Sequence, residues 1–119
     1  MDKTQLGKVE SQFADLIWQH EPISTAELVK LCEKELNWKR TTTYTVLKRL
    51  SKGGIFQNTD GTVTSCLSRQ QFYSLQSEKF VEEKFAGSLP AFLTAFTAGK
   101  KLTSDEIAEI RKLIDSYEE

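Results

Sequence analysis

The chain is short of the residues that build most chemical centres. Its 119 residues include two cysteines, Cys32 and Cys66, far apart and without a Cys-x-x-Cys pair, and one histidine, His20, with no partner at metal-ligand spacing. Structural roles are expected for all three, and a reducing compartment disfavours a long-range Cys32–Cys66 bridge. No apolar run approaches the roughly 20 residues needed to span a bilayer, and the opening "MDKTQLGKVE" lacks the apolar core of a secretory signal. A cytoplasmic location without membrane insertion is therefore expected. No nucleophile paired with a base, no carboxylate pair in an identifiable cleft and no phosphate-binding glycine loop emerges. An enzyme is the weakest of the functional classes, and no metal or cofactor is expected.

One absence is local. Residues 39–52 contain Lys39, Arg40, Lys48, Arg49 and Lys52 without a single Asp or Glu. The chain as a whole has a net charge of −1 and a pI near 5.9, which alone would argue against a nucleic-acid binder. That average conceals a +5 window set in a remainder that carries −6. Charge of one sign is concentrated on one element. The 39% hydrophobic and 28% charged content is otherwise ordinary for a globular domain.

What is present begins with helices that have explicit start signals. Leu6, Val9, Phe13, Leu16 and Ile17 recur at helical spacing and predict a first amphipathic helix ending before Pro22. In "ISTAEL", Ser24 and Glu27 form a capping box and Ile23 can staple onto Leu28, which predicts a second helix from Ser24 that buries Leu28, Leu31, Cys32 and Leu36. The chain should break near Asn37 and Trp38. A third helix is predicted over residues 40–52, stopped by Gly53 and Gly54. Threonine costs about 0.6 kcal/mol relative to alanine inside a helix, yet Thr41, Thr42, Thr43 and Thr45 all lie here, so something other than helix propensity selected them.

At about 100° per residue, Thr43, Val46, Leu47 and Leu50 share one face, the core side. Thr41, Thr45, Lys48 and Lys52 cluster about the opposite pole, flanked by Thr42 and Arg49 on one side and Tyr44 on the other. The exposed face is thus rich in hydroxyls and cations and free of carboxylates. Short hydroxyl side chains let a helix approach DNA closely, while Lys and Arg neutralise phosphates. "IFQNTDGTVTSCL" then reads as two short strands around an Asp60-Gly61 turn. Three helices followed by a hairpin give the winged-helix order, with the third helix placed to enter a major groove. The candidate DNA-binding residues are Lys39, Arg40, Thr41, Thr42, Tyr44, Thr45, Lys48, Arg49 and Lys52.

From Ser68 onward a second helical unit is expected. "SRQQF" offers a capping box through Ser68 and Gln71, and Phe72, Leu75, Phe80, Val81 and Phe85 are spread along the helix that follows. "GSLPAFLTAFTAG" has Ser88 as cap, Pro90 in the first turn, an apolar face of Leu89, Phe92, Leu93 and Phe96, and Gly99 as a stop. In "LTSDEI", Thr103 and Glu106 form a box and Leu102 a staple against Ile107, and the final helix is expected to bury Ile107, Ile110, Leu113, Ile114 and Tyr117. Three helices in about 50 residues cannot cover that much apolar surface alone. A second copy of the chain is the expected partner, because a two-fold interface reuses one patch and sets two recognition helices on a palindromic operator. The candidate dimerisation residues are Phe72, Leu75, Phe80, Phe85, Leu89, Phe92, Leu93, Phe96, Ile107, Ile110, Leu113 and Ile114. The fold class is mostly α with a small β wing: a winged helix over residues 1–67, then a helical dimerisation region over 68–119.

Over nearly its whole length the chain resembles the penicillinase repressor family. "LGKVESQFADLIWQHEPISTAEL" is similar to that family's first two helices, "RTTTYTVLKRL" sits where the family places its recognition helix, and "GSLPAFLTAF" with "LTSDEIAEIRKLI" resembles its dimerisation helices. The resemblance implies a dimeric repressor released from DNA by an inducing signal. In β-lactam-responsive members a membrane sensor-protease system triggers cleavage at an Asn-Phe bond; the corresponding pair here is Ala95-Phe96. The wing "QNTDGTVTS" lacks the basic and aromatic residues frequent in the family, and the ending "LIDSYEE" lacks the paired cysteines of copper-responsive members. A second class stays open beside this one: a winged helix that binds an acidic protein surface and has no specific DNA site.

Overall fold

Short polar side chains set where four of the described helices begin. In the computed structural model, which describes residues 6–117, the elements follow in the order α1 (Lys8–His20), β1 (Ile23–Ser24), α2 (Thr25–Leu36), α3 (Arg40–Lys52), β2 (Phe56–Thr59), β3 (Thr62–Ser65), α4 (Arg69–Phe85), α5 (Leu89–Gly99) and α6 (Ser104–Asp115). The ends of the two predicted regions, 1–5 and 118–119, lie outside the described residues. Ser24, Ser68, Ser88 and Thr103 each accept a hydrogen bond from the backbone N–H three residues on, at 3.0–3.1 Å. Gln71 and Glu106 return the bond to the N–H of Ser68 and Thr103 at 2.9 Å. Each bond satisfies a donor that the first helical turn leaves unpaired. Gly99 is the last residue of α5, and Lys100 caps it.

Two compact units result, Met1–Ser77 and Glu78–Glu119. In the first, Phe13, Ala14 and Ile17 of α1, Leu28, Val29 and Cys32 of α2, and Thr43, Val46, Leu47 and Leu50 of α3 are buried together with Ile55, Phe56 and Val63. Leu6, Leu16, Leu31 and Leu36 pack against this core from its edge. Val9, on the predicted apolar stripe of α1, stays 48% exposed. It lies in the first turn of α1, and the buried positions of that helix begin at Phe13.

Between β2 and β3 the chain reverses through Asp60 and Gly61, both left-handed (φ 51° and 85°), and Thr59 pairs with Thr62. That is the geometry of a two-residue hairpin whose twist matches its strands. A third strand was not expected. β1 pairs antiparallel with the other edge of β3 (Ile23 with Val63, Ser24 with Thr62), giving the order β1-β3-β2. Two residues cannot show an alternating pattern, so Ile23 and Ser24 are legible in sequence only as staple and cap. The Glu21 carboxylate reinforces the pairing by accepting from the Ser65 N–H at 2.8 Å and from its hydroxyl at 2.8 Å.

The first unit runs past the expected 67/68 boundary because the start of α4 packs on α1. Trp18 donates from its indole N–H to the Leu67 carbonyl at 3.0 Å, and Arg69 pairs with Asp15 at 3.0 Å while lying 4.8 Å over the Tyr73 ring. Phe72, expected at the dimer interface, is instead 1% exposed in this core, its ring 5.8 Å from that of Trp18. It has no surface left for a second chain.

In the second unit Phe80, Phe85, Phe92 and Phe96 form a run of ring contacts at 5.6–6.2 Å. Neither α5 nor α6 holds a buried residue. Leu89 and Phe96 of α5, Ile107, Leu113 and Ile114 of α6, and Tyr117 after it are exposed in the single chain. Their apolar faces have no second layer within the unit to cover them. Among the described residues no helix is long and apolar enough to cross a membrane.

Candidate nucleic-acid interface

α3 is a helix by tertiary packing rather than local preference. Its N-cap, Lys39, makes no side-chain cap bond and its first turn holds no acid, so neither a capping side chain nor the helix dipole assists it. The buried row Thr43, Val46, Leu47 and Leu50 locks it onto the core and fixes which face looks out. At its start Asn37 adopts the left-handed conformation (φ 55°), and the Trp38 N–H returns to the Cys32 carbonyl at 3.2 Å. The Trp38 ring stacks on Phe13 at 5.2 Å, which holds the turn between α2 and α3. After Lys52 the chain leaves through Gly53 and left-handed Gly54 (φ 83°).

Every candidate residue on this helix lies on the outward side. Lys39, Arg40, Thr41, Thr42, Thr45, Lys48, Arg49 and Lys52 are exposed and Tyr44 is half-buried. The side chains differ in what they have free. Thr45 donates its hydroxyl to the Thr41 carbonyl at 2.8 Å, leaving its oxygen as an acceptor. The Arg40 guanidinium lies 5.5 Å over the Tyr44 ring. A hydrogen bond with the Thr25 hydroxyl, and secondarily the charge of Arg40, holds the Tyr44 phenol below its usual range. Arg49 is ion-paired with Glu10 of α1. Among the described residues, Lys39, Arg40, Lys48 and Lys52 have no carboxylate partner.

Two participants were not legible in the sequence. Thr25 reaches the site because its N–H donates to the Gly61 carbonyl at 2.9 Å, which draws the start of α2 to the wing turn. Glu10 could be recognised only as the third residue of α1, where it accepts from the Gly7 N–H at 3.1 Å. Nothing local shows that it also meets Arg49. The hairpin adds no cation: Gln57 donates to the Thr64 hydroxyl at 3.1 Å, Asn58 accepts from the Gly61 N–H at 3.0 Å, and Asp60 is acidic. Both cysteines are free, Cys32 buried and Cys66 exposed.

A 13-residue helix is about 20 Å long. With its inner face fixed and its outer face carrying cations and hydroxyls, α3 has the size and chemistry to lie in a DNA major groove.

Comparison with known proteins agrees with this geometry. The penicillinase repressor family profile matches residues 6–116. The chain is 26% identical to the penicillinase repressor of Bacillus licheniformis over 117 residues, covering 95% of this chain and 91% of that one. It is 22% identical over 121 residues to the methicillin resistance regulatory protein MecI of Mammaliicoccus sciuri and to that of Staphylococcus epidermidis, covering 93% of this chain and 94% of each of those.

Proposed function

The chain belongs to the penicillinase repressor family, a family of DNA-binding transcriptional repressors and not of enzymes, and on that footing we propose that it binds a palindromic operator as a homodimer and is released by an inducing signal. The observation that carries the reading is the outward face of α3, where Lys39, Arg40, Lys48 and Lys52 stand among hydroxyls with no carboxylate partner among the described residues. These cations would neutralise phosphates, while Thr41, Thr42, Tyr44 and Thr45 would meet base edges. The exposed apolar residues of the second unit, Leu89, Phe96, Ile107, Leu113 and Ile114, support pairing with a second copy. Phe80, Phe85, Phe92, Leu93 and Ile110 belong to the same proposed interface, and Leu75 lies on α4 just before it.

Release acts through this second unit. Proteolysis at Ala95-Phe96, initiated by a membrane sensor-protease system, is the route the family resemblance implies. Both residues are exposed in the middle of α5, and a cut there would separate Phe96 and α6 from Phe80, Phe85 and Phe92.

Selection of bound duplexes from a random pool, followed by footprinting, tests the reading. The expected product is an inverted repeat with half-site centres about one helical turn, roughly 10 base pairs, apart or a multiple of it. Retention without any selected sequence, or binding that does not weaken as salt rises, would instead favour the winged helix as a protein-binding module.

A further inference from the structure

Building on that DNA-binding reading, we infer that Glu10 limits affinity for duplex DNA by neutralising Arg49, so that residues 39–52 present four effective cations where their sequence carries five. The geometry is specific to this pair. Glu10 is the third residue of α1, and its carboxylate is held from two directions: Oε1 accepts from the Gly7 N–H at 3.1 Å, and Oε2 pairs with Nη2 of Arg49. Its side chain is only 22% exposed, whereas that of Arg49 is 58% exposed. The acid is therefore a fixed element of the first unit, and the guanidinium is drawn toward α1.

Opposite charges in contact present almost no net charge at a distance, and what remains is screened within about 8 Å at physiological salt. Counterion release depends on the net positive charge brought to the phosphates. The Glu10–Arg49 pair should accordingly contribute far less than Lys48, one position before Arg49 on the same helix. The pair lies at the surface, where an ion pair adds little to stability, so its main consequence is electrostatic. A repressor that must leave DNA when a signal arrives gains from such a ceiling on affinity.

The test measures binding of the full chain to mixed-sequence duplex DNA across a salt titration. In Glu10→Gln the amide oxygen can still accept from Gly7 while the charge is gone, so the thermal melt should match wild type. Binding should tighten, and the log–log salt dependence should steepen by about 0.9 per protomer bound. The advantage over wild type should then shrink about three- to fourfold per protomer between roughly 50 and 200 mM salt. Lys48→Gln should flatten the salt dependence, and Arg49→Gln in the Glu10→Gln background, which removes both charges of the pair, should abolish the gain and return slope and affinity to near the wild-type values. Glu109→Gln, an equal charge change on α6, should leave binding as it is.

Unchanged or weaker binding by Glu10→Gln overturns the inference. So does a Glu10→Gln, Arg49→Gln double variant that weakens binding as much as Lys48→Gln does, since removal of a neutral pair should cost almost nothing. If wild type binds and Lys48→Gln weakens it while Glu10→Gln is neutral, only this inference falls. If wild type binds no DNA, the DNA-binding reading falls with it.

Discussion

Thr43 is where the composition of α3 conflicts with its surroundings. The residue is 1% exposed, and its hydroxyl has no hydrogen-bond partner of ordinary geometry among the described residues. Burial pushes the Cys32 thiol up and Thr43 pulls it partly back, a thiol contact too weak to satisfy a hydroxyl. Valine has nearly the same shape without the polar atom. Thr43→Val should raise the free energy of unfolding by about 1 kcal/mol in a denaturant titration and leave DNA affinity unchanged. A loss of stability would mean that the Cys32 contact outweighs the cost of burying the hydroxyl. The outward residues respond in the opposite way. Lys48 is exposed, so Lys48→Glu should leave the melt unaltered while replacing an attraction for phosphate with a repulsion. Affinity should fall on the order of tenfold or more at physiological salt, and equal affinity for mutant and wild type would remove Lys48 from the interface.

At the scale of elements, what the sequence reveals depends on how local the physics is. The caps at Ser24, Ser68, Ser88 and Thr103 were readable because donor and acceptor lie three residues apart. The Asp60-Gly61 turn and the inward row of α3 were readable for the same reason: one turn type, or one helical period, dictates them. β1 was hidden because its pairing with β3 is a long-range event between segments too short to carry a pattern. The destination of Phe72 and the partner of Arg49 were hidden likewise, since Trp18 and Glu10 lie far away in sequence. The α4–α5 junction contains a feature that side-chain type alone does not announce. Ala86 and Gly87 are both left-handed there (φ 51° and 80°), and a Cβ on Gly87 would sit 2.7 Å from the Glu82 carboxylate. Glycine is at home in that conformation and alanine is strained. Ala86→Gly should therefore stabilise the chain by about 0.5–1 kcal/mol, because relief of the strain exceeds the extra backbone entropy glycine loses. A lower melting temperature at equal protein concentration would show that the junction is not held left-handed in solution.

For the whole molecule, the link between binding and pairing can be separated by where the chain is cut. Ending it after Ser77 keeps Phe72 in the core and retains the Trp18–Leu67 and Arg69–Asp15 contacts. That chain should fold, sediment as a monomer, and bind an inverted repeat far more weakly than the full chain, because two coupled half-site contacts become two independent ones. Ending it after Ser68 removes Phe72 as well as the helix after it. Loss of a fully buried phenylalanine costs about 3–5 kcal/mol when a cavity remains, a large fraction of the roughly 5–15 kcal/mol that holds a domain of this kind together. The shorter chain should therefore be much less stable than the longer one, although both lack the whole second unit. Equal stability would place the boundary at 67/68 after all and make Phe72 dispensable to the winged helix. A chain ending at Ser77 that still sediments as a dimer would move the interface out of residues 78–119 and onto the first unit, where Leu75 is the exposed apolar residue nearest the cut.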